Sequence, residues 1–432
     1  MEINIFKKKI NKITDFGSIC FELGLFLLPS AFLISGILLL FAGTIGFINQ
    51  EGFFKDGWNK LLFTGSLLIV ISSLINTPKL FEFKLQNLNL GFLNWVPLSI
   101  VFYGFQYYLD SYLLRRKCCL LLLAGSVPVI ISVAGQVLFN WHSPIQTLNG
   151  LIVWYQSPIK GFNAVSGLFN NPNYLGSWLN IIWPFGFAYL LNQYKIKLKM
   201  VFISIFLTFI TLSIVFTASR AAWLCLLLSV ILFFIRITKK WFIVFFIAIA
   251  SIYLINSNTF IFENINQWIY RHLQIELLDN FSKETYINDI SRFDIWSIGS
   301  SNILQRPIWG HGASSFPTYI NEITGSWKGH AHNLPIELIY SFGLPAGIFI
   351  LIPFTYILFI SSREILLDKK YLNYDYIFDK AIIISLLLLA FYHLFDMTYF
   401  DGRISITGWI MFAAIKNIYR EKNDRFRLKG NN

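Results

Sequence analysis

Long apolar stretches separated by short polar and basic segments make up most of this chain. A run of about 15 to 25 residues with few or no charges suits a membrane-spanning helix, because about 20 helical residues cross the hydrocarbon core of a bilayer. Ten such runs are predicted to span a membrane: 61–76, 90–109, 118–140, 173–192, 200–218, 221–235, 241–255, 334–360, 379–396 and 404–417.

The first apolar run, Ile19 to Ile48, needs a separate interpretation. It has 30 residues, one charge at Glu22, and Pro29 and Ser30 near its middle. It is too long for a signal peptide and no small-residue cleavage site ends it. We predict a hairpin of two short helices here, which gives about 12 spans in all.

Composition agrees with this pattern. Of 432 residues, 55% are hydrophobic and 13% are charged, which excludes an ordinary water-soluble protein. We therefore predict an all-α polytopic transmembrane bundle forming a single domain over residues 1–432, since backbone amides in hydrocarbon must be satisfied within helices. The four cysteines lie in apolar runs, so neither a disulfide framework nor a zinc site is indicated.

The net charge of +12 is interpreted as cytoplasmic loop charge, not as a surface for nucleic acid. Basic residues cluster in four connections, at 115–117, 195–199, 236–240 and 363–370. The positive-inside rule places all four in the cytoplasm. The segments predicted on the outer side are then 141–172, the turn at 219–220, a long loop at 256–333, and the link at 396–403.

Two arginines stand out on the predicted outer side. Arg220 lies between two apolar runs, and Arg292 begins an amphipathic helix predicted after Ser291 as its N-cap. A purely structural explanation fits each arginine equally well. Arg220 can be a side chain that reaches the lipid headgroups, and the helix that begins at Arg292 can be an amphipathic helix docked on the bundle. The functional alternative is an anion site, because a guanidinium matches phosphate geometry.

The densest polar cluster is His330-Ala-His-Asn333, just before a predicted helix. Asn333 suits the N-cap of that helix, and Asn173 is predicted to cap the helix that follows Asn170-Asn-Pro-Asn173. Metal binding is disfavoured, because no carboxylate or third histidine is close in sequence. A histidine near a membrane mouth is a candidate general base. Gly310 and Gly312 predict a turn, with no nucleotide-binding spacing.

The motifs, taken together and in order, resemble the O-antigen ligase and polymerase superfamily. The resemblance covers about residues 165–345 and rests on these segments: Phe169-Asn-Asn-Pro-Asn-Tyr174, Ser219-Arg220, Arg292 to Trp296, Pro307 to Gly312, His330-Ala-His-Asn333, Glu337 and Gly343-Leu344.

This resemblance implies a metal-independent glycosyltransferase of the bacterial inner membrane, with its active site facing the periplasm. The implied donor is a glycan on a polyprenyl pyrophosphate such as undecaprenyl pyrophosphate, and the implied acceptor is a glycan or lipid core. No cofactor is expected. Arg220 and Arg292 become the pyrophosphate ligands and His332 the base. The supporting candidates are His330, Asn333, Glu337, Asn171 and Asn173, with Glu337 expected to orient the imidazole.

Other functions remain open at this stage. A polysaccharide polymerase and a protein glycan transferase of the same superfamily share this chemistry and differ in their acceptor. A bicarbonate or other solute transporter is an alternative from another class. A transporter should have paired ionisable groups near the membrane midplane or broken helices in two related halves, and the sequence predicts neither.

Overall fold

The computed structural model of the protein describes residues 2–82, 91–157, 164–193, 196–234, 290–367 and 376–430. Within these residues the chain forms fifteen α-helices and one β-hairpin. The helices of the first third are α1 (Glu2–Leu27), α2 (Phe32–Ile48), α3 (Gly57–Glu82), α4 (Val96–Tyr107), α5 (Tyr112–Gly125) and α6 (Val127–Phe139). Strands β1 (Ile145–Thr147) and β2 (Ile152–Trp154) pair antiparallel in the predicted outer loop 141–172, where the hydrophobic pattern did not predict strands.

The remaining helices lie in the later parts of the chain. They are α7 (Pro172–Asn192), α8 (Lys197–Phe216), α9 (Arg220–Phe234), α10 (Arg292–Ile303), α11 (Phe316–Thr324), α12 (Leu334–Phe342), α13 (Leu344–Leu367), α14 (Ile377–Tyr392) and α15 (Gly402–Gly430). The predicted span at 241–255, the basic cluster at 236–240 and the part of the long loop before residue 290 lie outside the described residues.

The apolar run from Ile19 to Ile48 folds as predicted, as two helices. Helix α1 ends at Leu27, α2 begins at Phe32, and the turn between them contains Pro29. The helices approach closely, and the Ser35 hydroxyl donates a hydrogen bond of 2.6 Å to the Gly24 carbonyl. The proline and the buried serine bond together explain why this run breaks near its middle.

Four described helical segments are long and apolar enough to cross a membrane. They are Gly57–Thr77, Tyr112–Phe139, Lys197–Phe216 and Leu344–Leu366, and two shorter apolar helices span Phe32–Ile48 and Arg220–Phe234. The chain is thus a mostly helical membrane protein. The total of about 12 spans stays a prediction.

One predicted boundary was wrong. The apolar run 334–360 is divided at Gly343, so that α12 is a separate short helix and the long apolar helix begins at Leu344. Gly343 has a φ of 90°, and a Cβ there would lie 2.0 Å from the Ile308 carbonyl oxygen. The segment that carries Gly310 packs against this break, which is why it interrupts an otherwise continuous apolar pattern.

The two ends of the helical bundle differ in their chemistry. At one end Arg115 at the start of α5 is fully buried and pairs with Asp379 at the start of α14, Nε to Oδ1 at 2.8 Å. Arg115 Nη1 also lies 2.6 Å from Glu421 Oε1, in the last part of α15. This end, which also carries Lys197, is called the basic end.

The opposite end, called the histidine end, gathers the described segments that were predicted to lie outside. The Ser219 hydroxyl, between α8 and α9, lies 3.0 Å from the hydroxyl of Tyr392 at the end of α14. Tyr392 donates in turn to the Asn173 carbonyl in the first turn of α7, also at 3.0 Å. The described outer segments around Asn173 and Ser219 therefore meet at one end of the bundle, and the basic segment around Arg115 lies at the other.

This organisation predicts which side of a membrane each end faces. Asn149→Cys in the exposed β-hairpin should react with a membrane-impermeant maleimide in sealed right-side-out vesicles, whereas Lys197→Cys should react only after permeabilisation. The four native cysteines are buried and give a low background. Labelling of Lys197→Cys but not Asn149→Cys in sealed vesicles would reverse the orientation.

Candidate active site

The segment His330–Asn333 is fixed where α12 begins. Asn333 is the N-cap, as predicted, since its side-chain oxygen accepts from the Ile336 amide at 3.1 Å. Its amide nitrogen also donates to the Leu394 carbonyl at 3.2 Å, and the Leu334 amide donates to the His393 carbonyl at 2.9 Å. These bonds attach the histidine segment to the turn that follows α14.

That turn supplies the partner of His332. His332 Nδ1 lies 3.1 Å from Asp396 Oδ1, and Asp396 is only 3% exposed. The same carboxylate oxygen accepts from the Met397 amide at 2.8 Å. A buried carboxylate held in this way fixes the orientation of the imidazole that binds it.

Glu337, which was expected to orient the imidazole, does something else. Its Oε2 accepts from the Ala331 amide at 2.8 Å, and its Oε1 lies 3.4 Å from the Ser341 hydroxyl. Glu337 is buried. It therefore holds the backbone between the two histidines, and the orienting role expected of it belongs to Asp396.

His330 and His332 form an asymmetric pair. Their ring centroids are 4.3 Å apart, and His330 Nδ1 accepts from the His332 backbone amide at 3.1 Å. This bond accompanies a left-handed backbone at His332, with a φ of 50°. His330 Nε2 lies 3.8 Å from Asp396 Oδ1, beyond the distance of a good hydrogen bond.

The tautomers can be assigned from this hydrogen-bond network. An Nδ1 that accepts an amide proton carries none itself, so neutral His330 bears its proton on Nε2. His332 presents Nδ1 to a carboxylate, which accepts but does not donate, so that nitrogen bears the proton. The Nε2 of neutral His332 then has a lone pair available for a proton.

Burial and neighbouring charges shift the pKa values of both Asp396 and His330. Burial alone raises the pKa of Asp396, but the hydrogen bond from His332 and the electrostatic effects of His332, His330 and Arg292 outweigh it and lower the pKa to about 2. Burial and the neighbouring His332 lower the pKa of His330 to about 4, with Asp396 opposing and Arg292 adding to the shift. Near neutral pH the site thus combines an ionised carboxylate with a neutral His330.

Both predicted arginines begin helices at the histidine end. Ser291 caps α10, as predicted, its hydroxyl accepting from the Asp294 amide at 3.2 Å. Arg292, the first residue of that helix, is close enough to affect the pKa of both His330 and Asp396. A positive side chain and the free amides of a helix N-terminus both favour an anion.

Arg220 is connected to the same region through its neighbour. Ser219 binds Tyr392, and the Tyr392 carbonyl accepts the Asp396 amide at 2.9 Å. Arg220 itself is exposed. The structure therefore brings Arg292 to the His330, His332 and Asp396 cluster and places Arg220 at the same end of the bundle.

The asparagine motif also lies at this end, with one correction. Asn171, not Asn173, caps α7: its side-chain oxygen accepts from the Asn173 amide at 2.8 Å, and Pro172 takes the first helical position that proline favours. Asn173 instead offers its carbonyl to Tyr392. Arg403 holds the preceding residues, with its guanidinium carbon 3.8 Å from the Phe169 ring centroid.

Sequence reasoning missed Asp396, Tyr392 and Arg403 as residues that build the site. Asp396 is 64 residues from His332 in the chain, so no local spacing joins them. The available signal was its position, because Asp396 is one of two acidic residues in the short outer link after α14.

His330, His332 and Asp396 also form a group with the composition of a metal site. Their ligand atoms all lie within 4.8 Å of one another. Two imidazoles and a carboxylate are ligands that zinc accepts. The sequence argument against a metal relied on the lack of a nearby carboxylate, and folding supplies that carboxylate, so metal independence stays a prediction.

The asymmetry of the histidines can be measured by pH titration. His330 should stay neutral at about pH 5 and become protonated as the pH falls through about 4, because its pKa is lowered from the ordinary 6.5. Nitrogen-15 NMR of histidine-labelled protein would follow this, with His330→Gln assigning the signal. A His330 signal that titrates near pH 6.5 would contradict the expected burial.

Comparison with known proteins gives a match to one family model. No curated protein matches the chain. Residues 203–351 match the family model described as O-antigen ligase. The matched segment contains Arg220, Arg292, His330 and His332, and it ends before Asp396. This match, together with the motifs gathered at the histidine end, supports a relationship of the chain to the O-antigen ligase superfamily.

Proposed function

We propose that this membrane protein transfers a glycan from a polyprenyl-pyrophosphate donor to an acceptor hydroxyl at the outer leaflet. The observation that carries the proposal is the contact between His332 Nδ1 and the buried Asp396 carboxylate. It leaves His332 Nε2 as a base at the same end as two arginines. The O-antigen ligase family match supports the reaction class.

The base works on the acceptor. As the acceptor oxygen forms a bond to the anomeric carbon of the donor sugar, its proton passes to His332 Nε2. The resulting imidazolium is stabilised by the Asp396 carboxylate, which stays ionised because its pKa is about 2. His330, neutral in the same pH range, adds no competing positive charge beside the base.

The arginines work on the leaving group. The bond between the anomeric carbon and the phosphate oxygen breaks, and its electron pair leaves with the polyprenyl pyrophosphate. Arg220 and Arg292 offset this developing negative charge, assisted by the helix N-termini at which they lie. A fixed guanidinium in a partly dehydrated site stabilises such charge more strongly than one in water.

The identity of the acceptor separates the related functions. Surface glycans extracted from a deletion strain should lack long chains on their lipid core if the protein is a ligase. Accumulated single repeat units would indicate a polymerase, and loss of glycan from protein would indicate a protein glycan transferase. Unchanged glycans together with altered uptake of bicarbonate or another solute would favour the transporter and contradict the proposal.

Substitution of the proposed base tests the mechanism. His332→Gln should lower transfer by about 100-fold or more while donor binding stays close to normal, because general base catalysis contributes about 10²- to 10⁴-fold. Asp396→Asn, which keeps the shape but removes the charge, should also reduce transfer strongly. The measurement is transfer by purified protein in nanodiscs with a polyprenyl-pyrophosphate glycan and an acceptor.

His330→Gln is the matched control, because a glutamine oxygen can still accept the His332 amide, and it should cause a smaller loss. Full transfer by His332→Gln at normal expression would remove His332 from the mechanism. A loss limited to His330→Gln would instead make His330 the base.

Substitution of Arg220 or Arg292 should reduce glycan transfer more than substitution of another positively charged residue of the chain. Arg220→Ala and Arg292→Ala should each lose roughly 2 to 4 kcal/mol of transition-state stabilisation, with Lys restoring only part because it lacks the guanidinium geometry. Arg306→Ala, after α10, is the control and should transfer nearly normally. Unimpaired transfer by Arg292→Ala would exclude Arg292 from pyrophosphate binding.

Metal independence is tested separately. A chelator should leave transfer by the wild-type protein unchanged, since the proposed reaction relies on guanidiniums and an imidazole. Inhibition that is reversed by a divalent cation would instead assign His330, His332 and Asp396 to a metal.

A further inference from the structure

A second chemically distinctive place is a cleft between α1 and α5 near the basic end. The cleft has a volume of about 280 Å³, and the side chain of Tyr108, stacked on Phe21 at 4.8 Å, forms part of its wall. Its α1 side runs from Ser18 to Leu25, about two helical turns or roughly 10 Å. Its volume lies near the lower end of small-molecule pockets, about 300 Å³.

The cleft contains charges of both signs. Glu22, the single charge in the first apolar run, pairs with Lys117 across it, and the two side chains are 35% and 53% exposed. Asp110 is exposed and also lines the cleft. The cleft therefore offers two carboxylates and one ammonium group.

The two arginines that precede Lys117 in the sequence contact groups outside the cleft. Arg115 is occupied by Asp379 and Glu421. The guanidinium carbon of Arg116 lies 5.5 Å from the Phe378 ring centroid. The excess negative charge of the cleft is thus not offset by these two neighbours.

The surroundings of the cleft are apolar and exposed. Ile19 and Leu23 on α1 are 54% and 48% exposed, and Leu113 on α5 is 70% exposed. In a membrane protein such side chains contact acyl chains. A ligand for this cleft should combine an apolar body with a head that carries a cation and an anion.

We propose that the cleft binds the headgroup of an ethanolamine phospholipid. The lipid phosphate lies at Lys117, the ammonium group donates hydrogen bonds to Glu22 and Asp110, and the acyl chains follow the exposed faces of α1 and α5. Because an exposed ion pair contributes little stability, lipid charges readily replace the contact between Glu22 and Lys117.

The charges and donors select this headgroup over two common relatives. A phosphatidylglycerol brings an anion but no cation, so its headgroup offers the two carboxylates only neutral hydroxyl donors and no positively charged partner. A phosphatidylcholine has the same charges as the ethanolamine lipid, but its trimethylammonium group has no N–H to donate. This site does not depend on the proposed glycosyl transfer, which uses residues at the other end of the bundle.

Native mass spectrometry of the purified full-length protein tests the proposal. The protein is delipidated and then offered dioleoyl phosphatidylethanolamine, phosphatidylcholine or phosphatidylglycerol at equal concentration. The ethanolamine lipid should be retained about tenfold more than either of the others, the factor expected for one charge-assisted hydrogen bond. Equal or stronger retention of phosphatidylglycerol or phosphatidylcholine would overturn the proposal.

Two pairs of variants locate the binding. Leu114→Trp fills the cleft while keeping all of its charges, and its neighbour Leu113→Trp adds the same bulk outside it. Lys117→Gln removes the phosphate partner, and Lys55→Gln removes an exposed lysine elsewhere in the chain. Loss of the ethanolamine lipid in Leu114→Trp and Lys117→Gln alone is expected. Retention in Leu114→Trp, with unfolding temperatures showing that both tryptophan variants are folded, would overturn the assignment.

Discussion

The burial of one carboxylate, Asp396, constrains the histidine end more than any other contact described there. An ionised group that is 3% exposed is stable only if charges and hydrogen-bond donors surround it. His332 and the Met397 amide supply the direct contacts, and Arg292 adds a favourable charge. Satisfying this carboxylate therefore requires the histidine segment, the start of α10 and the turn after α14 to meet at one place.

The same physics acts at the basic end, where Arg115 is fully buried and is satisfied by Asp379 and Glu421. Helix α14 joins the two ends, because its first turn contains Asp379 and the turn that follows it contains Asp396. Its 16 residues correspond to about 24 Å, most of the thickness of a hydrocarbon core. Removing one partner of such a pair leaves a buried charge, which is strongly destabilising. Two buried ionic clusters thus fix a helix at both of its ends and, with it, the position of the proposed base.

The two histidines illustrate how environment separates identical side chains. His330 is more buried, and this burial keeps its ring neutral. Its Nδ1 accepts a hydrogen bond from the His332 amide, which supports the left-handed turn at His332. His332 uses its Nδ1 on a carboxylate, so its Nε2 is left for chemistry. Ligase, polymerase and protein glycan transferase can all use this arrangement, since they differ in the acceptor and not in the proton that must be removed.

The sequence by itself determined the features that depend on neighbouring residues. Apolar runs predicted the helical membrane bundle, Pro29 predicted the break in the first run, and Ser291 and Asn333 were recognised as helix caps, because a cap bonds to an amide two or three residues away. The motifs also pointed to the O-antigen ligase superfamily, which the family match over residues 203–351 supports. Tertiary structure decided what depends on distant residues: that Asp396 and not Glu337 contacts His332, that Gly343 separates α12 from α13, and that Ile308 packs against this break. These contacts arise only when helices pack, since the energy that selects them comes from burying charges and backbone groups contributed by segments far apart in the chain.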